Sequence, residues 1–275
     1  MRLGYNTNGL AHHRWPEAIE LIAECGYRSV AITLDQHCLD PYSETLDAEL
    51  RQMRKLLGQH ELHSVIETGA RFLLNPRIKH EPTLVSTTPD ERAVRVDFLK
   101  RCIEIAARLG ADAVSFWAGV LHDDADGETA FARLEEGCRQ VADFADRSDV
   151  RLAFEPEPGM VVESFEQFDR LSEAVDAPHF GLTIDIGHVQ CVEDEPIADC
   201  LKRYSDRIHN LHIEDMARGV HQHLRFGAGE IDFPPVISAL HEIGYTGGVH
   251  VELSRHSHMA PTVLRESYEF LSRLV

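Results

Sequence analysis

The sequence predicts an α/β chain folded as a single (β/α)8 barrel over residues 1–275. Three observations carry that expectation. Short apolar or β-branched runs alternate with longer amphipathic stretches from end to end, as parallel strands joined by right-handed crossovers do. Eight such units fit into 275 residues, and about 250 residues is the usual size of an eightfold barrel. No shift in composition marks a linker between domains. A doubly wound sheet shares this periodicity, so alternation alone does not separate the two architectures.

The expected strands are Leu3–Tyr5, Ser29–Thr33, Ser64–Glu67, Ala113–Phe116, Leu152–Glu155, Phe180–Asp185, Ile208–Ile213 and Gly248–Leu253. Pro16–Cys25 places Ala18, Ile19, Leu21, Ile22 and Ala23 on a helical stripe rather than in strict alternation. Ala93–Leu109 does the same with Val94, Val96, Leu99, Cys102, Ile103, Ile105 and Ala106, and Gly110 suits its C-terminal cap. Phe131–Ala145, Ser164–Ala174, Pro234–Ile243 and Pro261–Leu274 read as helices too, with Ser164 and Gln167 spaced as a capping box. The longest loop is Thr68–Pro89, with Pro76, Pro82 and Pro89. It follows the third strand, on the face where barrels carry their sites, and loops that long are commonly functional.

Composition narrows the function. Lys plus Arg is 27 against 46 Asp plus Glu, a net charge of −19. Phosphate backbones and anionic membranes repel such a surface, so no nucleic-acid or membrane partner is expected. The six cysteines (Cys25, Cys38, Cys102, Cys138, Cys191 and Cys200) form no CxxC pair and read as free thiols of a reducing compartment. The N-terminus has no apolar signal region, and no stretch of about 18 apolar residues occurs. A cytoplasmic location is the expectation.

Chemistry collects at the ends of the later strands. The fifth ends Phe154-Glu155-Pro156-Glu157, the sixth Ile184-Asp185-Ile186-Gly187-His188, the seventh Leu211-His212-Ile213-Glu214-Asp215 and the eighth His250-Val251-Glu252-Leu253. In a parallel barrel these ends converge on one rim. Ten of the 17 histidines fall between His179 and His258. Glu155, Asp185, His212 and Glu252 would supply three oxygen donors and one nitrogen. That set suits one divalent ion, Mn²⁺, Mg²⁺ or Co²⁺, with Zn²⁺ also allowed. Three carboxylates gathered without a cation would push protons back onto one another.

These motifs resemble those of the xylose isomerase-like superfamily of TIM barrels, which includes ketose 3-epimerases, hydroxypyruvate isomerase, inosose dehydratase and endonuclease IV. Glu155, Asp185, His212 and Glu252 stand where that family's metal ligands stand. Asp185-Ile186-Gly187-His188 is similar to its Asp-x-x-His. Arg218, six residues after His212, matches a substrate-binding arginine of the ketose 3-epimerases. Phe226-Gly227-Ala228-Gly229-Glu230-Ile231-Asp232 resembles its Gly-x-Gly-x-Ile-Asp segment. The resemblance implies a metal-dependent isomerase or epimerase acting on a sugar, keto-sugar or cyclitol through an enediolate. Glu155 and Glu252 would move the proton while binding metal, and His188 and Arg218 would hold substrate oxygens. It also implies that a homo-oligomer is to be expected. The alternatives are a dehydratase or lyase on a keto-sugar or keto-cyclitol, a multi-zinc hydrolase like endonuclease IV, and a non-catalytic sugar-binding subunit.

Further residues face the same rim. Glu67 ends the third strand and suits a substrate hydrogen bond, an extra ligand or a loop cap. Trp117 suits an apolar wall for a sugar ring or core packing. His223, with His221, precedes the Gly-Ala-Gly turn and suits a substrate-touching loop. Arg71, Arg77, Lys79 and His80 in the long loop, and Arg255, His256 and His258 after the eighth strand, are candidates for an anionic group on the substrate. His12 and His13 follow the first strand and have core, surface or rim roles open to them.

Overall fold

A computed structural model describes residues 1–275. Its strands are β1 (Arg2–Asn6), β2 (Ser29–Thr33), β3 (His63–Glu67), β4 (Val114–Phe116), β5 (Leu152–Phe154), β6 (Phe180–Asp185) and β7 (Ile208–Ile213), then a hairpin of β8 (Asp215–Ala217) and β9 (Val220–Leu224), then β10 (Gly248–Val251). β1 to β7 and β10 close into a parallel barrel in sequence order, with β10 pairing back to β1; β8 and β9 form a separate antiparallel ribbon. The doubly wound alternative is therefore excluded.

The helices are α1 (Trp15–Cys25), α2 (Leu46–Gln59), α3 (Pro89–Leu109), α4 (Gly127–Arg147), α5 (Phe165–Val175), α6 (Ile186–Val192), α7 (Ile197–Arg203), α8 (Phe233–Glu242) and α9 (Ala260–Leu271). Local chemistry sets their ends. α3 begins at Pro89, four residues before the apolar stripe suggests, because Thr88 and Glu91 form a capping box ahead of it. Its other end turns at Gly110, whose φ of 70° is open to glycine at little cost. Ser164 and Gln167 form the capping box expected for α5. α2 has no counterpart among the sequence-based helices; its Leu50, Met53, Leu56 and Leu57 are buried between otherwise charged positions.

The two faces of the barrel strands differ. One parity (Val30, Ile32, Ile66, Phe116, Phe154, Leu182 and Ile184 among them) joins the apolar layer under the helices. There Phe116, Phe154, Phe168 and Phe180 pack as mutual ring pairs with centroids 5.3–6.2 Å apart; such pairs add about 0.5–1.5 kcal/mol each beyond burial. The other parity is small or polar. Its side chains hydrogen-bond between strands that are not neighbours: Ser115 to Thr183 at 2.8 Å, Ser29 to His250 at 2.8 Å and Asn210 to Glu67 at 3.0 Å. These bonds cross the lumen, so the barrel interior is a polar network that rises toward the rim. Val65, Ala113 and Ala153 form a small separate apolar cluster. All six cysteines are free. No helix is long and apolar enough to cross a membrane.

Candidate functional site

The register of the parallel strands brings the late strand ends together. Asp185 pairs with His212 across β6 and β7, and His212 with His250 across β7 and β10. Glu155 follows β5 by one residue and Glu252 follows β10 by one. His212 Nδ1 lies 3.0 Å from Glu155 Oε1, 2.9 Å from Glu252 Oε2 and 3.8 Å from Asp185 Oδ2. One donor atom from each of the four residues falls within 4.8 Å of the others. This is the quartet expected from the sequence.

Its chemistry fits a divalent cation. Burial opposes the charged form of His212, yet Glu67, Glu155 and Glu252 outweigh it and hold the imidazolium well above its ordinary range. Burial pushes Glu155 up to about 7, while His212 overcomes burial at Glu252 and draws it down to about 2. The protein alone thus balances this cluster with a proton on His212. A bound cation would take over that role and free Nδ1 to be a ligand. Asp185 Oδ1 caps α6 through the His188 N–H at 2.9 Å, and its Oδ2 has no hydrogen-bond partner.

Glu67 lines the pocket and also reaches His212. Its Oε1 lies 2.9 Å from His212 Nε2 and 3.0 Å from Asn210 Nδ2. A carboxylate only accepts, so Nε2 carries the proton and Nδ1 is turned toward the other carboxylates. Carboxylate–imidazole pairs of this kind orient metal-binding histidines.

The cluster opens into a pocket of about 230 Å³, of whose 18 lining residues only Trp117 is hydrophobic. Glu67, Trp117, Glu155, His188, His212, His223 and Glu252 all line it. Trp117 is 8% exposed, with Arg95 4.5 Å from its ring centroid and His80 edge-on at 5.5 Å. It forms wall and core at once. His188 Nδ1 faces the Pro156 carbonyl at 3.2 Å and its Nε2 faces His221 Nε2 at 3.1 Å.

Arg218 is not brought into this pocket. It occupies the turn of the β8–β9 hairpin, exposed, with its guanidinium on the Glu193 carbonyl at 3.1 Å and on Asp194 at 3.0 Å. There its acidic neighbours on the outer surface, rather than the pocket, engage the side chain. Arg77, His256 and His258 do not line the pocket either. Its cationic side is Arg71, Lys79 and Arg255. Arg71 is fixed by the Asn8 carbonyl at 3.2 Å and by Asp35 at 3.9 Å.

Among the pocket residues that sequence reasoning passed over are Glu157, Asn8 and Asn6. Glu157 has its carboxyl driven well up by burial and by the charges of Glu155 and Glu252. Its position in Glu155-Pro156-Glu157 was the available signal. Asn8 donates to Glu252 Oε1 at 2.8 Å, and Asn6 accepts from Thr33 Oγ1 at 2.7 Å. No motif marks either asparagine.

Comparisons with known proteins agree with this fold. A family model described as xylose isomerase-like TIM barrel matches residues 19–274. The L-ribulose-5-phosphate 3-epimerase UlaE of Escherichia coli (strain SMS-3-5 / SECEC) is 24% identical over 242 residues, covering 87% of this chain and 82% of that protein. A crystal structure of D-allulose 3-epimerase from Methylomonas sp. in complex with D-allulose superimposes with a TM-score of 0.79 at 18% identity, covering 100% of this chain and 97% of the other. The structure of the IOLI protein with a binding zinc atom gives 0.80 at 20% identity, covering 100% and 98%.

Proposed function

The chain belongs to the xylose isomerase-like TIM barrel family, and from that premise we propose that it is a divalent-metal-dependent sugar epimerase whose residues 1–275 form one catalytic domain. The observation that carries this reading is the buried quartet of Glu155, Asp185, His212 and Glu252 at the floor of a polar pocket. Relatives named as 3-epimerases of ketoses support it.

The four residues would hold the cation, with Glu67 orienting His212. Bound there, a divalent ion polarises a carbonyl and a neighbouring hydroxyl and so lowers the cost of an enediolate. Glu155 and Glu252 supply the proton transfer, one removing the proton next to the carbonyl and the other returning one to the opposite face. Their environments already differ, Glu155 being pushed up and Glu252 drawn down. Groups separated in this way can divide acid and base roles. His188 and Glu157 on the pocket wall hold substrate oxygens, Trp117 covers the apolar face of the sugar, and His223 lines the hairpin side.

The finer reading of the substrate is a ketose phosphate. Lys79 and Arg255 line the pocket without ion-pair partners, beside Arg71, in a chain whose acids outnumber its bases by 46 to 27. Unpaired cations held at a pocket mouth are suited to a phosphate.

The test is conversion of pentulose 5-phosphates and free ketoses, followed by chromatography and mass spectrometry. The reading predicts a C3 epimer of unchanged mass, lost on chelation and restored by Mn²⁺ or Co²⁺, with Glu155→Gln inactive. A product lighter by one water would replace it with the dehydratase reading. Full activity in the presence of chelator would overturn the metal requirement.

A further inference from the structure

We infer that His80 is a specificity-determining residue whose Nε2 accepts a hydrogen bond from a substrate hydroxyl. This assignment rests on the proposed epimerase reading and deepens it. The ring is firmly held. His80 Nδ1 lies 2.5 Å from the Gly69 carbonyl oxygen. A carbonyl only accepts, so Nδ1 carries the proton. Trp117 meets the imidazole edge-on with ring centroids 5.5 Å apart, and Arg95 stands 4.5 Å from the same indole ring.

The backbone is fixed as well, and at a cost. The His80 N–H donates to the Arg71 carbonyl at 2.6 Å. The φ of His80 is +69°, in the left-handed region that residues with a Cβ enter unfavourably. Such conformations persist where surrounding contacts enforce them, and ligand clamps are among those places. Here the strained residue is one that the long loop after β3 contributes to the lining of the pocket.

One nitrogen is left free. Burial, with the charges of Lys79, Arg95 and Arg71 adding to it and the Gly69 bond opposing, draws the imidazole down to about 4. The ring is therefore neutral at pH 7, and with Nδ1 protonated it presents a lone pair at Nε2. That atom has no hydrogen-bond partner within the protein and remains accessible. An anion has no hydrogen to give to a lone pair, whereas a hydroxyl has one. Lys79 and Arg71, which line the same pocket, offer only hydrogens. The loop thus divides its work: its cations suit an anionic group and His80 suits a hydroxyl.

The surroundings also indicate which hydroxyl. The charges that act most on the His80 ring are those of Lys79, Arg95 and Arg71, not those of Glu155, Asp185, His212 and Glu252. His80 therefore faces the part of the substrate beyond the reacting carbons. In a pentulose 5-phosphate that part carries a single hydroxyl, on carbon 4, next to the phosphate proposed for Lys79 and Arg255.

The experiment is steady-state kinetics of the Mn²⁺-loaded full chain on a pentulose, its 5-phosphate and the 4-deoxy form of each. Wild type, His80→Asn and His80→Gln are compared. Asn tolerates a positive φ and keeps an N–H near the Nδ1 position, but it ends short of Nε2. Gln carries a carbonyl out to the Nε2 position. In His80→Asn, kcat/KM should fall about 3–10-fold, the worth of one neutral hydrogen bond, mainly through KM. The fall should be alike on the pentulose and its phosphate, and His80→Gln should recover part of it. The 4-deoxy substrates should cost the wild type a similar factor and His80→Asn nothing further, because residue and hydroxyl form one interaction. A 4-deoxy penalty of equal size in wild type and His80→Asn overturns the assignment. So does a loss confined to the phosphorylated substrate, which gives His80 to the anion instead. A wild type that converts no ketose defeats the epimerase reading itself, and this assignment with it.

Discussion

Glu67→Ala should weaken cation binding without touching a single ligand. In the wild type Glu67 Oε1 takes the Nε2 proton of His212 at 2.9 Å and a second hydrogen bond from Asn210 at 3.0 Å. Both partners are buried, so neither bond is replaced by solvent. A hydrogen bond to a charged group contributes about 1.5–3 kcal/mol. Loss of the partner that orients a metal-binding histidine costs about 10–100-fold in metal affinity, or about 1.4–2.7 kcal/mol, and the two figures agree. Asn210 keeps Thr183 at 3.4 Å, so the damage falls mainly on His212. Glu67→Gln retains an acceptor and loses only the charge, which predicts about 1 kcal/mol, or roughly fivefold. Titration of Mn²⁺ against a fluorescent chelator would measure this directly. An ordering of wild type, Gln and Ala from tightest to weakest is expected. Unchanged affinity in Glu67→Ala with a raised KM would refute the reasoning and return Glu67 to a substrate-binding role.

Other consequences can be checked more simply. Ser164→Ala removes the acceptor that caps α5 and should cost about 1 kcal/mol, a fall of about 2–4 °C in Tm; an unchanged Tm would contradict the cap. His80, drawn down to about 4 chiefly by burial, stays neutral when folded, whereas the unfolded chain takes up its proton below about 6.5. Its contribution is therefore complete above pH 6.5 and is lost as pH falls toward 4, at most about 3 kcal/mol. Urea unfolding of His80→Asn should show a shallower acid loss than the wild type between pH 7 and 4.5, and equal losses would contradict the assignment.

The four-residue cluster was legible because four successive expected strands each carry a carboxylate or imidazole, Glu155, Asp185, His212 and Glu252, at or next to their last residue. In a parallel barrel every such residue is delivered to one rim whatever the details of register. α2 was not legible because its four buried positions lie among charges in Leu46–Gln59, which dilutes the apolar stripe. The β8–β9 hairpin escaped because its strands are short and polar, Asp215–Ala217 and Val220–Leu224. That ribbon is what carries Arg218 outward and turns His221 and His223 inward. The pairing of Glu67 with His212 spans 145 residues and exists only once β3 and β7 face each other across the lumen. The placement of Glu214 beside Asp185 and His223 is likewise a property of three dimensions: in sequence it is one acid in Ile213-Glu214-Asp215, and its neighbour Asp215 is engaged by the Met216, Gly227 and Ile231 N–H groups.

The central claim is that carboxylates of the rim move a proton on a cation-held ketose. Proton NMR of a converted ketose or ketose phosphate in D₂O tests it most directly, comparing loaded enzyme, chelated enzyme and Glu252→Gln. The account predicts deuterium entering at carbon 3 with the loaded enzyme, none after chelation, and a fall of about 10²–10⁴-fold in Glu252→Gln with the cation still bound. Turnover without deuterium entry, or exchange undiminished in Glu252→Gln, would contradict it.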